Sequence, residues 1–242
     1  RLGLDRKKAQ EKSQTLLDLL HQPAYRIGSM AELRSNPLML TVLCLVDHDD
    51  DSLPRSRVRL YERCVRVLLE TWRQQVHIHH GGRPYNPDAA RQVLASVAWW
   101  MHEQIDRRSV PLADMEKRAT EELRLFPNSG LGTDGSEFIR LMREDSGILA
   151  ASGSGFAEFL HLTFQEYLAA LYAVQHNEAE QLAGQLEQSW WQEVILLALA
   201  HATSAFSESF FEALLKGKAF ERQAGFFERC LQEAEPLVPA PF

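Results

Sequence analysis

The residues best placed for chemistry lie in FAEFLHLTFQEYLAALYAV, residues 156–174. FAEFLH alternates like a short strand, and the residues after it place apolar side chains at helical spacing. Thr163 and Glu166 form the pattern of a capping box, which predicts that a helix begins there. His161 would then stand between a strand end and a helix N-terminus, where backbone N–H groups and the helix dipole attract anions such as phosphate.

His161 has two interpretations. Any helix start offers N–H groups, so the histidine is either a packed or solvent-facing residue, or a hydrogen-bond donor to phosphate. The stretch FLHLTFQEYLAA resembles the winged-helix motif of NACHT proteins, signal-transducing NTPases that include bacterial NACHT defence proteins and NOD-like receptors. In that family the histidine of this motif contacts the β-phosphate of bound ADP and holds the closed, inactive state. The resemblance implies this role for His161.

A second motif is LRSNPLMLTVLCLV, followed by LPRSRVRLYERCVRVLLETW. Pro37 suits the first turn of a helix, because the N–H that proline lacks would have no partner there. Spacing alone predicts a buried helix and then an amphipathic one. The stretch is similar to the helical domain after the nucleotide-binding core of NACHT proteins, where the proline packs against adenine. The resemblance implies that Pro37 is a second nucleotide-contacting residue.

The patterning predicts a mainly α fold. After the turn-rich GGRPYNP, helices are predicted at about 87–105 and 112–125, then the short helix EFIRLMRED and a β-hairpin of GILAAS and FAEFLH around SGSG. Three helices and a hairpin are typical of a winged helix. We therefore predict a helical domain at 1–80, a winged helix at 81–176 and a helical, repeat-like segment at 177–242. Within the last, SWWQEVILLALAHA resembles the first helical repeat after the winged helix in NACHT proteins.

Composition narrows the functional class. The 242 residues carry a net charge of −7 with a pI near 5.7, which argues against a general binder of nucleic acid or acidic membranes. The longest apolar run, at 194–200, falls far short of the roughly 18 residues of a membrane span. With no secretory signal and no CxxC pair, we expect a cytoplasmic protein with buried, reduced thiols. The chain begins without methionine, so we expect it to be part of a longer protein.

Catalytic and metal-binding motifs are missing from the sequence. It has no GxxxxGK[ST], and Gly217-Lys218 follows a helix rather than a strand and a glycine loop. His77, His79 and His80 lack the further ligand that a zinc site needs. We predict no catalytic residue, no metal site and no ATP hydrolysis by this chain alone. ADP or ATP with Mg²⁺ would bind only together with an upstream P-loop domain.

Three functions stay open at this stage. The resemblance implies a regulatory role: the chain covers nucleotide held by the upstream P-loop NACHT domain of an ATPase. It would convert the nucleotide state into opening and self-association, in bacterial innate immunity or antiphage defence. The second function is a helical protein-interaction scaffold with no link to nucleotide.

The third function is DNA reading by the winged helix. Its third helix sets Arg140 and Arg143 against Glu137, Glu144 and Asp145, and the turn SGSG carries no cation. DNA binding depends on cations that contact phosphates, so this balance disfavours nucleic acid.

Overall fold

The structure is a computed structural model. It describes residues 56–71, 84–104, 108–217 and 222–234, together with Ser13, Gln14, Leu17, Asp18, His21, Leu40 and Cys44. The chain forms two compact units, Arg1–Val67 and Leu68–Phe242. The predicted boundaries at 80 and 176 stay predictions.

Helix α1 (Arg57–Arg66) lies in the first unit and runs on into a π-helical turn, Val67–Thr71. The predicted apolar stripe is present, since Tyr61, Cys64 and Val65 are fully buried. Ser56 is the N-cap residue, although its side chain makes no capping hydrogen bond. The predicted buried helix after Pro37 lies largely outside the described residues.

The predicted winged helix is confirmed. It consists of α2 (Pro87–Glu103), β1 (Ser109–Pro111), α3 (Leu112–Leu123), α4 (Gly135–Glu144), β2 (Leu149–Ala151) and β3 (Phe156–Phe159). Asn86 caps α2, because its side-chain oxygen accepts from the N–H groups of Asp88 and Ala89, and Pro87 takes the first turn. The interior of α2 is apolar and buried, as the periodicity predicted, at Leu94, Val97, Ala98 and Met101.

The sheet has three antiparallel strands in the order β1-β3-β2. The predicted hairpin is β2 and β3, with Leu149 opposite Phe159 and Ala151 opposite Ala157. Gly153 and Gly155 adopt positive φ in the turn between them, which side chains disfavour. Strand β1 was not predicted, because three residues carry too little alternation to be recognised. It pairs with β3 and makes β3 the central strand.

Helices α3 and α4 meet at Gly135, the first residue of α4. A Cβ there would lie 1.9 Å from the backbone oxygen of Glu116, so only glycine allows this approach. The Gly135 N–H donates to the Thr120 hydroxyl at 2.9 Å, and that hydroxyl donates to the Glu116 oxygen at 2.9 Å. The first of these bonds holds the start of α4 against α3.

Helix α5 (Leu162–His176) is the centre of the second unit, because α2 packs on one side of it and α7 on another. The predicted apolar positions Phe164, Tyr167, Leu168 and Leu171 are all buried. Asn177 ends the helix in the left-handed conformation, with φ 56°, and its N–H donates to carbonyls of the last turn.

The remaining described elements are helical, which confirms the predicted fold class. They are α6 (Ala179–Gly184), a 3₁₀ turn (Ser189–Trp191), α7 (Gln192–His201), α8 (Ser204–Gly217) and α9 (Ala224–Ala234). The run Val194–Leu199 is buried throughout α7, which packs against α5 and α9. None of the helices in the described ranges has the length and apolar character to cross a membrane.

Candidate functional site

His161 lies two residues beyond the end of the central strand β3 and is the N-cap residue of α5. Its backbone is extended, with φ −145° and ψ 141°, and its ring Nδ1 accepts a hydrogen bond from the Thr163 N–H at 3.2 Å. The His161 carbonyl accepts from the Phe164 N–H at 3.0 Å. The prediction that Thr163 is the cap was wrong. The helix begins two residues earlier than predicted, because the imidazole nitrogen takes the place of the expected hydroxyl.

This cap determines the tautomer of His161. A nitrogen that accepts a hydrogen bond carries no proton, so the neutral ring has its proton on Nε2. Nε2–H is a donor, and a phosphate oxygen is a suitable acceptor for it. The side chain is partly exposed, so a ligand can reach it.

The elements on both sides of His161 hold it in place. The Leu160 N–H donates to the Ile148 carbonyl at 2.9 Å, which extends the β2–β3 ladder to the residue before the histidine. Phe159 on one side and Phe164 on the other are buried, at 4% and 0% exposure. The position of the imidazole is therefore set by a sheet and a helix rather than by a loop.

The family comparison agrees with this architecture. A family model described as a winged helix-turn-helix domain C-terminal to NACHT matches residues 57–173. The chain carries a NACHT-associated winged helix. This confirms the resemblance in the motif around His161 and supports a NACHT-related regulatory role, with a NACHT domain upstream in the same protein. Neither the comparison with curated proteins nor that with solved structures gave a match.

The match begins at Arg57, the first residue of α1, rather than at the linker before α2. It ends within α5, after the histidine and the buried apolar positions that follow it. The NACHT-associated winged helix thus includes both the strand and the helix that position His161.

A bound nucleotide fits this site only in part. His161 supplies one neutral donor at a helix N-terminus, which suits one phosphate oxygen. No group of three or more His, Cys, Asp or Glu side chains able to hold a metal ion occurs among the described residues. Within the described residues, the N-terminus of α5 thus has one donor of a type that suits phosphate, and those residues contain no Mg²⁺ site. Pro37, the predicted adenine contact, lies outside the described residues, as do the histidines at 77–80.

The surface that reads DNA in other winged helices has little positive charge here. Arg140 forms an ion pair with Glu144 at 3.1 Å on the exposed face of α4. Glu137 is exposed on the first turn of the same helix, and the wing turn 152–155 has no cation. The geometry of α4 therefore adds nothing that would favour a phosphate backbone.

The buried thiols are poor candidates for nucleophiles. Burial raises the pKa of Cys64 to about 12 and that of Cys230 to about 12, so both stay protonated at neutral pH. Cys44, which we predicted to be buried, is exposed.

Sequence reasoning missed a second histidine with a defined chemical environment. His102, near the end of α2, is completely buried, and its ring contacts Trp190 and Trp191 with centroid distances of 4.6 Å for each. Together with Trp99 and Tyr172 they form a cluster that we call the aromatic joint. Trp99 stacks on Tyr172 at 5.5 Å and meets Trp191 edge-on at 5.2 Å. The only sequence signal was the pair of adjacent tryptophans, 88 residues beyond His102.

Proposed function

We propose that this chain is the regulatory part of a NACHT-type signal-transduction NTPase. It covers ADP or ATP, with Mg²⁺, bound by the upstream P-loop domain and couples the nucleotide state to opening and self-association. His161 is the latch: its Nε2–H donates to a phosphate oxygen of ADP in the closed state. The intact protein is an ATPase, whereas this chain alone has no catalytic residue.

The observation that supports the proposal is the cap at His161. The ring uses Nδ1 to start α5, which directs the donor role to Nε2 and ties the imidazole to the backbone of the winged helix. A hydrogen bond between Nε2–H and a phosphate would therefore restrain the position of the whole helix α5 relative to the nucleotide. A hydrogen bond to a charged partner contributes about 1.5–3 kcal/mol. If the bond exists only in the closed state, its loss shifts the closed–open equilibrium about ten- to a hundredfold.

Three substitutions of His161 in the intact protein separate the latch from the cap. His161→Ala removes both functions. His161→Ser keeps a capping oxygen, and His161→Asp gives a strong cap whose charge repels phosphate. We expect ADP to dissociate faster in all three, by about tenfold or more, and fastest in His161→Asp. Signalling or assembly without a trigger should follow the same order.

Helix stability is the control for these variants. His161→Ser and His161→Asp should retain the helical content of the parent by circular dichroism, because their caps are intact. An unchanged ADP dissociation rate in a folded His161→Asp protein would refute the latch. In that case the helical scaffold without a nucleotide link becomes the better explanation.

The adenine contact needs its own test in the intact protein. Pro37→Ala removes an apolar ring from the proposed purine contact, and alanine suits a first helical turn. We expect weaker ADP binding with little loss of stability. Unaltered ADP affinity would count against the role of Pro37.

The absence of hydrolysis by the isolated chain is tested by phosphate release. We expect turnover equal to a buffer blank, because the sequence has no phosphate-cradling loop. Turnover that a substitution in this chain abolishes would overturn that expectation.

The wider role that we propose is cytoplasmic immune signalling, such as antiphage defence. Immune signalling in uninfected cells that carry His161→Asp, against none in uninfected cells with the unaltered protein, would support it.

A further inference from the structure

The aromatic joint connects the winged helix to the helices that follow it. Its two polar links are reciprocal: the His102 ring Nε2 lies 2.9 Å from the Trp190 carbonyl, and the Trp190 indole N–H donates to the His102 carbonyl at 3.0 Å. The two rings also stack, with an interplanar angle of 11°. Residues of α2 and of the 3₁₀ turn before α7 are thereby joined through both main chain and side chain.

The hydrogen bonds assign the tautomer of His102. A carbonyl can only accept, so Nε2 carries the proton and donates to the Trp190 oxygen. Nδ1 is then an acceptor, and it faces the side-chain amide of Gln165 at 3.5 Å, a long contact. The ring is completely buried and Gln165 is 1% exposed, so neither group can exchange its partner for water.

Gln165 brings this network to the start of α5. It lies four residues after His161, one helical turn further along the same helix. Helix α5 also packs against α2 and α7, the two elements that the joint connects. His102 thus contacts a side chain in the second turn of α5 and the main chain of the segment before α7 at once.

We propose that His102 is a positioning residue that ties the N-terminal turns of α5 to the helical segment beginning at Trp190. A displacement of that segment then changes the position of the helix start that carries His161. The tie itself is a property of this chain, and only its effect on nucleotide rests on the proposed function.

Amide hydrogen exchange of the full chain tests the tie. His102→Phe keeps an aromatic ring of similar size but removes both ring hydrogen bonds. We expect exchange to accelerate by about tenfold in two separate segments, 162–168 and 189–192. His102→Gln should restore slow exchange in both, because its amide can donate to the Trp190 carbonyl and accept from Gln165. A role in packing alone would be satisfied by phenylalanine and would not need the glutamine rescue.

Gln165→Leu is the second variant, in case His102→Phe does not fold. It should accelerate exchange at 189–192, although the substituted side chain is on α5. Adding it to His102→Phe should cause little further acceleration, because both changes break one network. Full additivity of the two changes would overturn the proposal.

Gln181→Ala is the matched control. The Gln181 amide donates to the Glu103 carboxylate at 2.9 Å, a further hydrogen bond between the end of α2 and the helices that follow. It is exposed and lies outside the joint, so its loss should leave exchange at 162–168 unchanged. Acceleration confined to residues near 102 in His102→Phe, or spread evenly over all helices, would refute the tie.

ADP release from the intact protein links the tie to function. If both proposals hold, His102→Phe speeds release by a few-fold and His161→Ala by more. If His102→Phe accelerates amide exchange in both segments but neither variant changes ADP release, the latch is refuted and the tie stays supported. Faster release in His161→Ala, with no coupled exchange in His102→Phe, would refute the tie and leave the latch supported.

Discussion

The start of α5 and the aromatic joint each hold one histidine in the same tautomer, in opposite surroundings. His161 is partly exposed, and its Nδ1 bonds the backbone two residues further on. His102 is completely buried, and its Nε2 bonds a carbonyl 88 residues away. The first arrangement is local and leaves the ring accessible to a ligand. The second is a hydrogen bond between residues distant in sequence, and its imidazole ring is shielded from water.

The comparison shows how environment divides roles between identical side chains. Burial lowers the pKa of His102 from its ordinary value of 6.5 to about 4, and the bond to the Trp190 carbonyl opposes that shift only in part. His102 is therefore neutral at physiological pH and suited to a structural role. A histidine at a helix start that a ligand can reach is suited to recognition.

The largest expected effect is the pH dependence of stability at His102. The unfolded ring binds a proton below about pH 6.5, whereas the folded ring resists protonation down to about pH 4. Stability is therefore lost as pH falls through this window, by about 3 kcal/mol, at about 1.4 kcal/mol per pH unit. Urea unfolding followed by tryptophan fluorescence measures it, since Trp99, Trp100, Trp190 and Trp191 are four of the five tryptophans.

The control for this measurement is the same titration of His102→Gln. All other titratable groups are shared by the two chains, so the difference between the curves isolates His102. Equal slopes for the parent and His102→Gln between pH 6.5 and 4 would contradict the assignment of the buried, neutral ring.

The next effect in size is the loss of the His102 hydrogen bonds at constant pH. His102→Phe removes the ring partner of the half-buried Trp190 carbonyl and of the buried Gln165 amide, which costs about 2 kcal/mol. Urea midpoints at pH 7 measure the change, and His102→Gln should recover most of it. A phenylalanine variant as stable as the parent would mean that the joint is held by packing alone.

A smaller effect is expected at the start of α5. His161→Ala removes a side-chain cap and should destabilise the chain by about 1 kcal/mol, whereas His161→Asp should not. The same unfolding experiment at pH 7 tests this. If His161→Ala lowers the free energy of unfolding as much as His102→Phe does, the two histidines do not differ as an accessible cap and a buried structural residue should.

The smallest effect concerns the other end of α5. Asn177 has a φ of 56°, which glycine adopts at lower cost, so Asn177→Gly should stabilise the chain by about 0.5 kcal/mol. Exchange at 162–168 and 189–192 should stay as in the parent, because neither histidine is touched. Slower exchange in both segments would show that the general stability of α5, rather than His102, controls them.

Local pattern was sufficient for most elements of the winged helix. Periodicity predicted α2, α3, α4 and α5 to within a few residues, because their buried faces repeat at helical spacing. The hairpin followed from alternation around a glycine-rich turn. The cap of α5 was placed two residues too late, since a serine or threonine signature is the usual one and an imidazole acceptor is not.

The sequence by itself determined the helical fold class, the winged helix and the place of His161 between a strand and a helix, because each depends on neighbours within a few residues. Only the tertiary structure decided that β1 joins the sheet, that Gly135 seats α4 on Thr120, and that His102 meets Trp190. Those contacts join residues distant in sequence. No periodicity records them, because they depend on how whole helices pack around α5.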